Sequence, residues 1–230
     1  MLSAVTQRLT QLHTDIADGL SLFCVDLGGS APSPQIRGYL CASERTRAAA
    51  FRYTDLAARF VWCRAALRQI LGARLACPPK QVALQQTDAG RPFVADAGFD
   101  FNVSHSGDLA LIALLDGHGR VGVDIERLVP LRDMDKLAET VFTAREREIL
   151  RRERGTRLKA FYRLWTCKES YLKAIGTGLM VEPSRVDIDL ENSRRPSLRQ
   201  APDARPCRIE TFCPVPDFIA ALTVCAAASQ

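Results

Sequence analysis

Carboxylates at two places in the chain could bind a metal ion. The segment 122–126 reads Gly-Val-Asp-Ile-Glu, and in a strand the alternation of side chains puts Asp124 and Glu126 on the same face. Two neighbouring carboxylates repel each other, and a cation relieves that repulsion. Hard oxygen ligands favour magnesium or manganese over zinc. An edge strand with a solvated acidic face is the alternative that this segment leaves open.

A third carboxylate and two lysines lie in the segment 165–178, which reads Trp-Thr-Cys-Lys-Glu-Ser-Tyr-Leu-Lys-Ala-Ile-Gly-Thr-Gly. Glu169 and Lys173 are four residues apart and share one face of a helix, and Lys168 directly precedes Glu169. Glu169 is a candidate metal ligand, and the two ammonium groups are candidates for binding phosphate. A surface ion pair between Glu169 and Lys173 is the alternative.

The segment 101–107, Phe-Asn-Val-Ser-His-Ser-Gly, could bind an anion where a strand ends. His105 and the hydroxyls of Ser104 and Ser106 are donors that suit a phosphate group. A hydrolase nucleophile is disfavoured, because Gly-x-Ser-x-Gly is absent and adjacent side chains point apart on a strand. A structural role for His105 is the alternative. Arg91, in the turn at 90–93, adds a candidate cation.

Periodicity predicts an α+β chain whose elements position these residues. Apolar residues alternate in some segments and recur at helical spacing in others, with turn signals between them. The predicted strands are 20–27, 99–103, 110–115, 121–125, 185–190, 207–212 and 218–224. The predicted helices are 43–76, 133–153 and 157–175. Gly-His-Gly at 117–119 predicts a hairpin between the strands 110–115 and 121–125.

Composition limits the classes of function. Of the 230 residues, 47% are hydrophobic and 25% are charged, as in an ordinary globular protein. No apolar run reaches the roughly 18 residues that cross a bilayer, and the start lacks the apolar block of a signal peptide. We therefore expect a cytoplasmic protein without a membrane segment. The net charge of +5 fits an anionic ligand or an acidic partner and does not demand nucleic acid.

The eight cysteines are scattered along the chain and form no Cys-x-x-Cys pair. This spacing argues against a zinc site. Several of them lie in apolar segments, where a reduced cysteine packs as a small hydrophobic residue. A cytoplasmic protein also gives no reason to expect a disulfide bond.

Taken together, four segments resemble the 4′-phosphopantetheinyl transferases, and in particular the larger single-chain type of that family. They are Gly-Arg-Pro at 90–92, the segment 101–106, Gly-x-Asp-x-Glu at 122–126, and Trp-x-x-Lys-Glu-Ser-x-x-Lys-x-x-Gly-x-Gly at 165–178. The resemblance covers residues 40–190 well. Ser170 stands where that family more often has alanine. The implied fold is a pseudo-twofold arrangement of two similar α+β halves, 1–116 and 117–230, with the active site in the cleft between them.

The resemblance implies that the chain transfers the 4′-phosphopantetheine group of coenzyme A to a serine of an acyl or peptidyl carrier protein. The other product would be adenosine 3′,5′-bisphosphate. The implied ligands for Mg²⁺, or for Mn²⁺, are Asp124, Glu126 and Glu169. Glu169 is also the implied base, while Lys168 and Lys173 would neutralise the diphosphate. The alternatives are a metal-dependent phosphoesterase that activates water with the same carboxylates, and a non-enzymatic anion-binding protein.

The resemblance also implies how coenzyme A is bound. His105 would contact the 3′-phosphate, Ser104 would lie beside the nucleotide, and Arg91 would lie near the adenine and ribose. A solvated helix face is the alternative for Arg45, Arg47 and Arg59. The residues implied for coenzyme A binding are Arg45, Arg47, Arg59, Arg91, Ser104, His105, Lys168 and Lys173.

The implied partner is a carrier protein with an acidic recognition helix. The segment 144–159 holds seven basic and three acidic residues, so it could attract such a partner. A solvated, salt-bridged helix is the alternative for this segment. The resemblance further implies a monomer, because the two halves of one chain would supply what smaller relatives build by association.

Overall fold

The computed structural model of the chain describes residues 3–153, 155–177 and 180–227, so Gly178 of the fourth motif lies outside it. The helices are α1 (Pro34–Arg37), α2 (Ala42–Ala49), α3 (Thr54–Arg74), α4 (Met134–Val141), α5 (Ala144–Arg152) and α6 (Arg157–Ile175). The strands are β1 (Leu9–Leu12), β2 (Leu20–Asp26), β3 (Gln85–Gln86), β4 (Pro92–Phe93), β5 (Phe99–Ser106), β6 (Leu109–Asp116), β7 (Arg120–Arg127), β8 (Asp187–Asp189), β9 (Ser197–Gln200), β10 (Cys207–Phe212) and β11 (Phe218–Cys225). The α+β class predicted from the sequence is confirmed.

Two antiparallel sheets form the centre of the fold. One has the order β1-β2-β6-β5 and the other the order β10-β11-β7. The long helix α3 packs in the core of the first part of the chain, and α6 packs in the core of the second. A third apolar cluster, which includes Leu111 of β6, Val123 of β7 and Leu222 of β11, joins the two sheets. Each of the two sheets keeps to one side of residue 117, and the division into two similar halves stays a prediction.

The predicted hairpin around 117–119 is wrong. Strand β6 pairs with β5 and β2, whereas β7 pairs with β11. The turn instead carries the chain from the first sheet to the second. The hairpin in this region joins β5 to β6, and its turn contains Gly107 at a φ of 55°, a conformation that favours glycine.

Two of the predicted helices are each divided in the structure. The segment 43–76 contains α2 and α3, and the segment 133–153 contains α4 and α5. Helix α5 starts at a capping box, in which Thr143 accepts from the backbone of Glu146 and the Glu146 carboxylate accepts from the backbone of Thr143. Helix α6 has the predicted bounds and ends at Gly176, whose φ is 80°. In the described ranges, no helix has both the length and the apolar composition needed to cross a membrane.

Helix α6 crosses strand β7 at Gly122. A Cβ atom at this position would lie 2.0 Å from the carbonyl oxygen of Ser170 and 2.5 Å from the backbone nitrogen of Ala174. Any larger residue would therefore push the helix away from the strand. The absence of a side chain at Gly122 therefore sets how near α6 comes to the carboxylates of β7, which explains the glycine of Gly-x-Asp-x-Glu.

One cysteine pair departs from the expectation of reduced thiols. Cys207 and Cys225 form a disulfide. Their strands β10 and β11 pair in a register that places these two residues directly opposite each other, with Cα atoms 4.1 Å apart. Cys63 and Cys167 are free and buried, as expected of small hydrophobic residues, and burial raises the pKa of the Cys63 thiol to about 11.

Candidate active site

The site lies where strands β5 and β7 run side by side in the same direction. One edge of β7 pairs with β11, so the backbone N–H groups on its other edge need different acceptors. Alternate polar side chains of β5 provide them, and we call this array the polar seam. The N–H groups of Val121, Val123, Ile125 and Arg127 donate to Asp100, Asn102, Ser104 and Ser106, respectively.

The three candidate metal ligands meet in a cleft of about 310 Å³, which we call the carboxylate cleft. Asp124 and Glu126 enter it from β7, because residues two apart on a strand share a face. Glu169 enters it from α6. Lys173 and His105 also line this cleft. The structure thus brings together all three carboxylates and one of the two motif lysines.

Asp124 is buried and strongly held on one of its two oxygens. Its Oδ1 accepts from the Ser104 hydroxyl at 2.8 Å and from the Lys173 ammonium at 2.6 Å. Its Oδ2 is buried and has no hydrogen-bond partner. The carboxylate is therefore fixed in orientation while one oxygen stays available.

Glu126 and Glu169 are less favourably placed as anions in the protein without a bound cation. Burial raises the pKa of Glu126, and the nearby charge of Asp124 raises it further, against a hydrogen bond from Ser106. Burial likewise raises the pKa of Glu169, with Lys173 opposing the shift. The Oε1 atom of Glu169 is buried without a partner. Both carboxylates would gain from a nearby positive charge.

The carboxylate cleft suits a hard divalent cation. In the parts of the chain that the structure describes, no group of three acidic, histidine or cysteine side chains is already drawn together at metal-binding distance. Asp124 and Glu169 nevertheless each have a buried oxygen without a partner, although buried polar atoms normally have one. A cation would satisfy these oxygens and reduce the repulsion among the carboxylates, and an all-oxygen donor set favours Mg²⁺ or Mn²⁺.

Lys173 pairs with Asp124 and not with Glu169. Its ammonium group lies 2.6 Å from Asp124 Oδ1, and it also donates to Ser104 Oγ at 3.1 Å and to the carbonyl oxygen of Val123 at 3.3 Å. The surface ion pair considered from the sequence is therefore not what the structure contains. A partly exposed ammonium at the wall of this cleft can meet the negative charge of a ligand.

Lys168 does not reach the carboxylate cleft, which corrects the expectation that it would contact the diphosphate. Successive helical residues are rotated by about 100°, so Glu169 faces the cleft while Lys168 points into the core. Its ammonium group is fully buried, and burial lowers its pKa, against the nearby charge of Glu146. The bonds of the ammonium group go to the carbonyl oxygens of Val141, Pro183 and Val186 and to the carboxylate of Glu146.

Arg91 and Ser104 also differ from the roles that the resemblance implies. The Arg91 guanidinium is nearly buried, and its two terminal nitrogens bond to β5, β7 and α6, while its buried Nε has no hydrogen-bond partner. The Ser104 hydroxyl points at Asp124, because alternation along β5 turns it away from the side on which His105 lies. The acceptors of Arg91 are Asp100 and the carbonyl oxygens of Phe101, Val121 and Lys173.

An apolar pocket rimmed by cations adjoins the carboxylate cleft, and we call it the arginine pocket. Its volume is about 470 Å³, and Phe51, Leu56 and Phe60 are among the side chains that form its walls. Val103 and His105 line both this pocket and the carboxylate cleft. The two cavities are therefore neighbours along β5. The basic side chains around the pocket are Arg47, Arg59, Arg64 and His105.

Only some of the arginines expected near this pocket are placed to bind an anion there. Arg47 lies over the ring of Phe60, whereas Arg59 forms an ion pair with Asp108 at 2.7 Å. Arg45 does not line the pocket, since its guanidinium donates to the carbonyl oxygen of Leu40. Arg64 does line it and was missed from the sequence, although its position one helical turn after Phe60 could have indicated it.

His105 lies in the field of several cations. Partial loss of solvent lowers the pKa of its imidazole, and the charges of Lys173, Arg64 and Arg47 lower it further. The same charges attract an anion. A phosphate bound beside His105 would oppose this shift and favour the protonated ring.

Several arginines of the basic segment 144–159 are held in ion pairs. Arg145 binds Asp187 at 2.9 Å, and Arg152 binds Glu148 at 3.0 Å. Arg151 binds the same glutamate. The alternative of a salt-bridged helix therefore fits these residues of the segment.

The geometry defines a class of site, in which oxygen ligands for a divalent cation lie beside cations that suit a phosphorylated ligand. A family model described as "4'-phosphopantetheinyl transferase superfamily" matches residues 120–223, and one described as "4'-phosphopantetheinyl transferase, N-terminal" matches residues 35–115. Together the two matched ranges include the three carboxylates of the carboxylate cleft and Lys173. They also include most of the residues that line the two cavities. These findings agree with the resemblance seen in the sequence motifs.

Three curated relatives are similar over most of the chain. The 4'-phosphopantetheinyl transferase HetI of Nostoc sp. is 38% identical over 168 residues, which are 71% of this chain and 70% of the relative. The 4'-phosphopantetheinyl transferase psf-1 of Bacillus pumilus is 31% identical over 77% of this chain and 76% of the relative. The L-aminoadipate-semialdehyde dehydrogenase-phosphopantetheinyl transferase of Xenopus laevis is 32% identical over 71% and 59%, respectively. The chain belongs to the 4′-phosphopantetheinyl transferase superfamily, and it is an enzyme.

Proposed function

We propose that this enzyme transfers the 4′-phosphopantetheine group of coenzyme A to a serine of an acyl or peptidyl carrier protein, in a magnesium-dependent reaction. The serine oxygen would bond to the phosphorus on the pantetheine side as that phosphorus releases the adenosine side. The products would be the modified carrier protein and adenosine 3′,5′-bisphosphate. The observation that carries the proposal is that the carboxylate cleft and the arginine pocket adjoin each other and share Val103 and His105 as lining residues.

The carboxylate cleft would hold the diphosphate. Asp124, Glu126 and Glu169 are the proposed ligands of Mg²⁺, which when bound would neutralise charge on the diphosphate oxygens. Lys173 would neutralise the charge that builds up on the leaving phosphate. Since Lys168 is buried against Glu146, it has no part in this step.

Glu169 is the proposed base for the carrier serine. Burial raises its pKa, which brings a carboxylate closer to the range in which it can accept a proton at working pH. Proton transfer could be direct or pass through a water molecule.

The arginine pocket would hold the nucleotide end of coenzyme A. Apolar walls that include Phe60 suit a purine, and the basic side chains of His105, Arg47 and Arg64 suit the 3′-phosphate. Arg59 borders the pocket as well but is paired with Asp108. This arrangement keeps the 3′-phosphate apart from the reacting phosphorus, so it would serve binding more than chemistry.

The test is incubation of the enzyme with an apo carrier protein, coenzyme A and Mg²⁺, followed by intact-protein mass spectrometry. The proposal expects a mass increase of one phosphopantetheine group and release of adenosine 3′,5′-bisphosphate. A carrier whose acceptor serine is replaced by alanine, and a reaction in which Mg²⁺ is chelated, are the controls. Release of nucleotide without carrier modification would instead indicate the phosphoesterase, which nothing in the comparisons supports.

We also propose that the enzyme works as a cytoplasmic monomer on a carrier protein with an acidic recognition surface. Several cations of the basic segment 144–159 are held in ion pairs, so attraction of the carrier would depend on the basic side chains around the carboxylate cleft and the arginine pocket as well. Light scattering of the purified protein tests the monomer. A salt titration of the carrier KM tests the electrostatic contribution.

A further inference from the structure

Two serines of β5 hold the two carboxylates of β7 in the same way. Ser104 donates to Asp124 Oδ1, and Ser106 donates to Glu126 Oε2, both at 2.8 Å. Each serine also accepts from the backbone N–H of the residue that follows its carboxylate. The arrangement is repeated two residues further along both strands, so the parallel course of β5 and β7 sets both bonds.

The hydrogen-bond count makes the serines orienting groups for the carboxylates. A serine hydroxyl has one proton to donate, and here that proton goes to a carboxylate while the backbone N–H fixes the serine oxygen. Each bond occupies one carboxylate oxygen. For Asp124 the other oxygen, Oδ2, is buried and has no hydrogen-bond partner.

We propose that Ser104 and Ser106 are positioning residues for the metal-binding carboxylates Asp124 and Glu126. Their hydroxyl protons go to these carboxylates, so the role assigned to them does not require contact with the reacting groups. The inference rests on the proposed function, since it requires a divalent cation in the carboxylate cleft. It goes further by assigning to the second serine of Ser-His-Ser a purpose of its own.

The polar seam provides a control residue. It tests whether Ser104 and Ser106 orient the carboxylates or only accept backbone N–H groups of β7. Asn102 accepts from the N–H of Val123 at 3.0 Å in the same array, but its side chain bonds to neither carboxylate of the cleft. Ser170 is a buried serine on α6 whose hydroxyl bonds to Cys167 and Thr223. Asn102→Ala removes a seam bond, and Ser170→Ala makes the same chemical change as the test variants.

The experiment measures Mn²⁺ affinity by electron paramagnetic resonance and by calorimetry, in the absence of coenzyme A and carrier protein. Loss of a hydrogen bond that orients a metal ligand typically weakens binding by about 10- to 100-fold, and we expect this for Ser104→Ala and Ser106→Ala. Ser106→Thr keeps the hydroxyl and should restore most of the affinity. Asn102→Ala and Ser170→Ala should bind Mn²⁺ like the wild type, whatever their stability.

The outcomes distinguish this inference from the proposed function. If the wild type binds Mn²⁺ and the two serine-to-alanine variants bind it equally well, the positioning role is overturned while the metal site stands. If Asn102→Ala weakens Mn²⁺ binding as much as they do, the serines act only as seam residues and the inference is again overturned. If the wild type binds no Mn²⁺, the metal site itself is overturned, and the inference with it.

Discussion

Replacing Lys168 by methionine tests whether this lysine supports the fold or binds the diphosphate. Its ammonium group is fully buried and lies 2.6 Å from Glu146 Oε2, which is also fully buried. Three backbone carbonyls accept from the same group, at 2.7 to 2.9 Å. They belong to the end of α4 and to the segment before β8, so one side chain ties α6 to two other parts of the C-terminal core. Methionine keeps the length of the side chain and removes every one of these bonds.

The size of the loss follows from these contacts. Removing one partner of a buried ion pair costs about 3–5 kcal/mol, because the other charge stays buried without compensation. Glu146 would keep the N–H donors of Thr143 and Ile188, which limits this cost, whereas three carbonyls would each lose a hydrogen bond worth about 1 kcal/mol. We therefore expect a loss of about 3–5 kcal/mol, which is a large fraction of the 5–15 kcal/mol that stabilises a typical domain.

Urea unfolding and transfer kinetics on the same protein provide the assay. Lys168→Met should unfold at much lower urea, and the double variant Lys168→Met with Glu146→Leu should recover part of the loss because no buried charge remains. Turnover per folded molecule should stay within a few-fold of the wild type. A stable Lys168→Met protein whose turnover falls by about 100-fold or more would refute this reasoning, since such a loss is typical of a group that stabilises transition-state charge.

Three further substitutions test the site and its support. Glu169→Gln should reduce transfer by about 100-fold or more, while stability measured with a chelator should hold or rise, because burial of the charged carboxylate opposes folding. Gly122→Ala should lower the free energy of unfolding by at least the roughly 1–3 kcal/mol typical of an overpacked core, since its Cβ would meet the backbone of α6. Urea unfolding measures this loss. Gly155→Ala is the control, because a Cβ there meets nothing within 4 Å. Because the pKa of His105 is lower in the folded protein than its ordinary value of 6.5, the unfolded chain binds the proton first as the pH falls. The folded protein therefore loses stability as the pH falls from 6.5 through the lowered pKa. Coenzyme A binding should therefore take up protons near neutral pH, and this calorimetric signal should be absent in His105→Ala and with 3′-dephospho-coenzyme A.

The carboxylate cleft was predictable from the sequence because its members obey local geometry. Asp124 and Glu126 are two residues apart on a strand, and Glu169 and Lys173 are four residues apart on a helix, so each pair must share a face. Lys168 shows that the residues of one motif do not all point into the same site. The motif contains both lysines, yet a helix that points Glu169 and Lys173 at the cleft must turn Lys168 toward the core.

Other features were not predictable because they depend on which strands become neighbours. A glycine turn at 117–119 indicates that the chain changes direction, but it does not say that β7 will pair with β11. The disulfide between Cys207 and Cys225 follows from the register of β10 and β11, which hydrophobic alternation alone leaves open. The polar seam likewise joins side chains to backbone groups of another sheet, about twenty residues further along the chain.

Strand β5 connects the two cavities through the simple alternation of its side chains. Ser104 and Ser106 reach the carboxylates of β7, whereas Val103 and His105 line both the carboxylate cleft and the arginine pocket. A single rigid strand would therefore fix the distance between the carboxylate cleft, which would bind the diphosphate, and the arginine pocket, which would bind the 3′-phosphate. If the proposed function holds, recognition of the remote phosphate would place the diphosphate in register with the metal ligands, and binding energy from one end of coenzyme A would serve the chemistry at the other.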